Sequence, residues 1–115
     1  MESKIIPLEK DIQASMLDWL QFNKYFYWRN NNAPVFDARK RAFRHRHKHT
    51  PLGMPDIMLL HNGKFVGIEV KRPKVQLRPE QASLGLSMVI NGGNYIVSHS
   101  LEELIEQLDK IFKPC

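Results

Sequence analysis

Disulfides, membrane spans and a secretion signal all have no counterpart in this sequence. Its single cysteine, Cys115, is the last of 115 residues, which leaves no internal bridge to form and points to a reducing, cytoplasmic setting. No apolar run approaches the length of a membrane span, and Met1-Glu2-Ser3-Lys4 has none of the character of a signal peptide. Internal repeats and low-complexity tracts are missing too, and 115 residues fit one domain, 1–115, with one continuous core. Acidic residues are missing locally. Between Asp37 and Asp56 there is none, while Arg39, Lys40, Arg41, Arg44, Arg46 and Lys48 fall there among His45, His47 and His49. With a net charge of +5 this block reads as an arm for phosphate contacts, and Arg29 is a further candidate cation. The same block would also serve as a solvated loop. The alternating histidines make a poor zinc site, because they sit among cations without cysteine or acidic partners.

The most informative segment runs from Met54 to Lys71. Asn62-Gly63 between two apolar runs signals a two-residue type I′ turn, which needs positive φ at both positions. Pairing His61 with Lys64 then sets Asp56 opposite Glu69 at a non-hydrogen-bonded position, with Cα atoms about 4.5 Å apart. Lys71 projects from the same face. Facing carboxylates are destabilising unless a proton or a cation offsets them, and oxygen ligands at this spacing suit Mg²⁺. Lys71 would add positive charge beside a phosphate or attacking water. The alternative is a pair of solvated carboxylates bridged by a lysine. Ile57, Leu59, Val66, Ile68 and Val70 all fall on the opposite face, and a one-residue slip would part the acids. Met58, Leu60 and Phe65 share the acids' face near the turn, so that end is expected to be covered and the acidic end open. Pro55 is expected to open its strand.

Around this hairpin, the spacing predicts a first helix from about Pro7 with Leu8, Ile12, Met16, Trp19 and Leu20 buried. Glu9 borders that stripe, where the helix dipole alone would favour an acid. Tyr25-Phe26-Tyr27-Trp28 reads as a strand, more in keeping with core than with base stacking. A second helix is predicted from Pro79 to Asn91, stopped by Gly92-Gly93, with Gln81, Leu84, Gly85 and Met88 on one side. Tyr95 to Ser98 fits a buried strand. Ser100 to Glu103 forms a capping box for a last helix, which buries Leu101, Leu104, Ile105, Leu108 and Phe112. The order helix, strand, hairpin, helix, strand, helix fits a mixed sheet covered by helices.

Pro55-Asp56 followed by Glu69-Val70-Lys71 spells the motif of the PD-(D/E)xK nuclease superfamily. Together with Glu9-x-x-x-Gln13, Trp28-Arg29-Asn30-Asn31, Gly53-x-Pro55-Asp56, Gly67 to Pro73 and Gln76-Leu77-x-x-x-Gln81, the chain resembles the VRR-NUC family from about Leu8 to Leu108. The resemblance implies an α/β, restriction-endonuclease-like α-β-β-β-α-β core with an extra C-terminal helix. It implies a Mg²⁺- or Mn²⁺-dependent DNA endonuclease, with no other small-molecule cofactor and no membrane partner. Asp56, Glu69, the Val70 carbonyl and Glu9 would hold the metal, Lys71 would orient or deprotonate the water, and Gln81 would flank the site. Stand-alone members resemble archaeal Holliday-junction resolvases, which implies branched DNA and a homodimer. The Arg39–His49 stretch departs from that pattern. A flap or repair nuclease, a nicking enzyme and a non-catalytic DNA-binding module on the same scaffold are the alternatives.

Overall fold

The computed structural model describes residues 5–30, 35–44 and 49–113, with backbone alone for 35–37 and 42–44. His45, Arg46, His47, Lys48 and Cys115 lie outside the described residues, as do the side chains of Asp37 and Arg44. In chain order the elements are α1 (Glu9–Phe22), β1 (Phe26–Arg29), β2 (Val35–Asp37), β3 (Ala42–Arg44), β4 (Ile57–His61), β5 (Lys64–Val70), α2 (Pro79–Ile90), β6 (Asn94–Ser98) and α3 (Leu101–Phe112). Among the described residues no helix is long and apolar enough to cross a membrane.

The central hairpin forms because its turn residues accept left-handed backbone: φ is 51° at Asn62 and 78° at Gly63. From there the β4–β5 register runs from His61 opposite Lys64 to Ile57 opposite Ile68. At the tip, the Lys64 ammonium donates to the Ile111 carbonyl at 2.8 Å, so a cation meets the carbonyl end of α3. β1 adds antiparallel to β4, and β6 adds parallel to β5, giving a four-stranded mixed sheet in the order β1-β4-β5-β6. A parallel neighbour requires a crossover, which α2 supplies.

One face of this sheet carries the core. Ile57, Leu59, Val66, Ile68 and Val70 are completely buried against Ile12, Met16 and Leu20 of α1 and Leu104 and Leu108 of α3. Burial of each such side chain stabilises the fold by roughly 1.5–3 kcal/mol. Ser100 caps α3 by accepting from the Glu103 N–H at 3.1 Å. The Glu103 carboxylate turns to His99 at 3.1 Å instead of closing the capping box.

Beyond that capping box, the aromatic strand is not wholly core, since Phe26 is 66% and Trp28 38% exposed. Three further expectations need correction. α1 begins at Glu9, not Pro7, and Leu8 is its extended N-cap, half exposed outside the core. The extended lead-in is met by a long-range contact: the Arg72 guanidinium donates to the Pro7 carbonyl at 3.1 Å. Pro55 lies two residues before β4 and is fully buried. On the acids' face Met58 is buried as expected, but Leu60 and Phe65 at the turn are each 38% exposed, and the acidic end is not open: Glu69 is 2% exposed and Asp56 half-buried. α2 reaches the acidic end with Gln81 and lies over Gly67 with Met88.

The basic stretch also contains structure that its charge conceals. β2 and β3 form a separate antiparallel pair, with Val35 opposite Arg44 and Asp37 opposite Ala42. β-forming Val35, Phe36 and Phe43 flank its turn, where Arg41 takes φ 50°. Arg39, Lys40 and Arg41 are exposed there.

Candidate active site

The hairpin register, continued one pair past Ile57 and Ile68, sets Asp56 opposite Glu69. Three sets of contacts fix Asp56 and its backbone. The Val70 N–H donates to Asp56 Oδ2 at 2.8 Å. The Asn30 N–H donates to the Asp56 carbonyl at 2.8 Å, and Asn30 Nδ2 donates to the Pro55 carbonyl at 2.8 Å. Upstream, Gly53 has φ +80°, and a Cβ there would lie 2.4 Å from the Glu80 carbonyl oxygen. The Gly53-x-Pro55-Asp56 segment thus rests directly on the first turn of α2, which any side chain at Gly53 would push away.

That same turn delivers Gln81, which is 4% exposed. Its Oε1 accepts the Arg78 N–H at 2.9 Å, so its amide nitrogen must face the other way, and Nε2 donates to Glu69 Oε1 at 3.0 Å. The second oxygen of Glu69, Oε2, is buried without a hydrogen-bonding partner. A proton shared between the two carboxyls would satisfy it. Glu69 accordingly has its pKa raised to about 9, first by burial, then by the charge of Asp56 and a hydrogen bond shared with it, with Lys71 opposing. Glu9 pushes the same way as Asp56 but contributes the smallest share.

Lys71 is 8% exposed. Its N–H donates to the Ser98 carbonyl at 3.1 Å, extending the parallel pairing one residue past β5. Ser98 is itself buried and its hydroxyl donates to Gln107 of α3, whose Nε2 donates to the Val97 carbonyl at 2.9 Å. Tyr95, on the acids' face, has a buried hydroxyl without a partner. Its pKa is raised, chiefly by burial and then by the charges of Glu69 and Asp56.

Asp56, Glu69, Lys71 and Gln81 therefore meet at one end of the sheet, and Glu9 acts on Glu69 through its charge. Among the described residues, no three His, Cys, Asp or Glu side chains cluster closely enough to hold a metal ion. The oxygen donors of this site are the Asp56–Glu69 pair. Two hard carboxyls with one oxygen left unsatisfied fit a hard divalent cation, which would take the place of the shared proton. Arg29 ends β1, and Arg39, Lys40 and Arg41 stand on the separate ribbon. Four residues at or near the site carry contacts that sequence patterns do not assign: Asn30, Arg72, Tyr95 and Ser98. Asn30 stands within the Trp28-to-Asn31 motif, and Arg72 directly follows Lys71. Nothing in the sequence marks the other two.

Helix, three antiparallel strands, crossover helix and parallel strand, with acids at one end of the hairpin, define a restriction-endonuclease-like α/β core. Within that class the fold is the VRR_NUC fold. A solved structure described as "VRR_NUC domain protein" superposes with a TM-score of 0.71 at 16% identity, covering 95% of this chain and 91% of its own. Another, described as "VRR_NUC domain", gives 0.61 at 16% identity, covering 90% and 96%. No protein-family model matches the sequence, and no curated protein does.

Proposed function

We propose that this chain is a metal-dependent endonuclease that hydrolyses DNA phosphodiester bonds, with branched DNA as its preferred substrate and a homodimer as its working form. The observation that carries the catalytic part is the pairing of buried Glu69 with half-buried Asp56, with Lys71 beside them. Asp56 and Glu69, with the Val70 carbonyl, would hold Mg²⁺ or Mn²⁺, which supplies Lewis-acid chemistry and charge neutralisation at the scissile phosphate, while Glu9 adds negative charge from α1 without joining the ligand set. Gln81 and the Val70 N–H fix one oxygen of each carboxylate and so orient the other. Lys71 orients or deprotonates the attacking water and stabilises charge developing on the phosphate. Exposed Arg39, Lys40 and Arg41, with Arg29, Arg44, Arg46 and Lys48, bind the DNA backbone.

A binding-only module gains nothing from this arrangement. Two acids beside a phosphate repel the ligand, and burying them lowers stability. The branched substrate and the dimer follow the resemblance to archaeal junction resolvases, and Phe26 on the edge strand, 66% exposed, offers apolar surface for self-association.

The test is incubation of labelled four-way junction, flap, duplex and single strand with Mg²⁺, Mn²⁺ or EDTA, alongside a sedimentation measurement. Metal-dependent cleavage, strongest on the junction, is expected. Binding without cleavage in every metal would leave the chain a DNA-binding module, and equal cleavage of linear duplex would remove the branched preference.

A further inference from the structure

We propose that the Tyr95 hydroxyl is a positioning group of the cation site, donating to Glu69 Oε2, the oxygen turned to the metal ion, when the carboxyl pair holds one. The cation rests on the nuclease reading; the pairing rests on the arrangement of the two side chains. Among the described side chains, two nitrogen or oxygen atoms are buried without a partner, Glu69 Oε2 and the Tyr95 hydroxyl. One is an acceptor lacking a donor and the other a donor lacking an acceptor. They stand on adjacent strands of the same sheet face. β6 pairs with β5 so that Glu69 is opposite Val97 and Gly67 opposite Tyr95, which makes Tyr95 the diagonal neighbour of Glu69. Diagonal neighbours are within reach for an aromatic side chain.

The Tyr95 ring has its own reason for being there. It presses on α2 at Gly85, where a Cβ would come within 2.6 Å of the ring. Packing needs that ring and not its oxygen, since phenylalanine would fill the same space without burying an unpaired hydroxyl. Carboxylates that bind metal are held in turn by hydrogen bonds from surrounding groups, whose removal weakens metal binding by about 10–100-fold. Gln81 does this for Glu69 Oε1. Tyr95 is the buried donor left for Oε2.

The experiment uses the full chain and Mn²⁺ as probe, with free Mn²⁺ followed by electron paramagnetic resonance for the parent, Tyr95→Phe and Glu69→Ala. Tyr95→Phe is expected to keep or raise the thermal midpoint in EDTA while the half-saturating Mn²⁺ concentration rises about tenfold or more. Its DNA cleavage should recover toward the parent rate at high Mn²⁺. Unchanged Mn²⁺ affinity overturns the assignment, and a lowered thermal midpoint with unchanged affinity overturns it by making the hydroxyl a packing group. If the parent binds Mn²⁺ no better than Glu69→Ala, the nuclease reading fails and the role of Tyr95 falls with it.

Discussion

The two faces of the β4–β5 hairpin are built by alternate residues of the same strands, yet they obey opposite rules. On one face five aliphatic side chains are sealed beneath α1 and α3, and the buried Ser98 beside Val70 has its hydroxyl satisfied by Gln107. On the other, Glu69 and Lys71 are almost as deeply buried, and one carboxylate oxygen lacks a partner. Burial stabilises the first face and strains the second. Period-two alternation lets both occupy one hairpin, so the site inherits the rigidity of the core without sharing its composition. A strand pair that is a stable scaffold on one side can thus hold an unfavourable charge arrangement on the other.

Substitutions on the two faces should therefore separate activity from stability. The largest effect is expected at the site: Glu69→Gln, Asp56→Ala or Lys71→Ala each lowers cleavage by about a hundredfold or more while the chain stays folded. Single-turnover assays with matched thermal melts would check this, and a Glu69→Gln variant that cuts at the parent rate would abolish the contrast. Next comes Ile68→Ala on the core face, expected to lower stability by about 2–5 kcal/mol in urea unfolding. Any loss of cleavage there should follow the unfolded fraction.

A smaller effect of opposite sign is expected from Glu69→Gln in metal-free buffer. Glu69 is protonated in the folded chain up to about pH 9 but ionises near 4.5 when unfolded. The unfolded state thus binds fewer protons between these values, and the parent loses stability as pH rises through that window. The variant escapes this loss. Its thermal midpoint should exceed the parent's at pH 8 by on the order of 5 °C, with the gap closing toward pH 4.5. A constant gap would mean the acid's titration is not its source. The smallest effect belongs to the ribbon. Replacing Arg39, Lys40 and Arg41 by alanine should flatten the salt dependence of DNA binding, the logarithmic slope falling by about 0.9 for each phosphate no longer neutralised. It should leave the cleavage step itself alone.

Much of this was legible because local signals and global fold agree. Asn62-Gly63 and strict alternation determine the hairpin and its register, and the spacing of Gln81 on its helix determines which way it faces. Other features depend on partners far away in sequence. The lead-in to α1 is contacted by Arg72, more than sixty residues on, and no helix propensity encodes that. β2 and β3 escape notice because three-residue strands carry too little pattern to stand out in a run of cations. The depth of Glu69 runs against the ordinary exposure of acids, and depends on where α2 crosses the sheet. Tyr95 looks like any aromatic in a short strand until its empty hydroxyl is located.

The contact between Lys64 and the last turn of α3 carries one more lesson. Those atoms touch no acid, yet they pin the bend from which every rung of the ladder is counted. Sliding the pairing by a single rung would tear that anchor and at once swing one carboxyl to the far side. Precision where charge is handled is guarded by a fastening at the remote end of the ribbon, much as a ruler is kept true by its clamped zero mark.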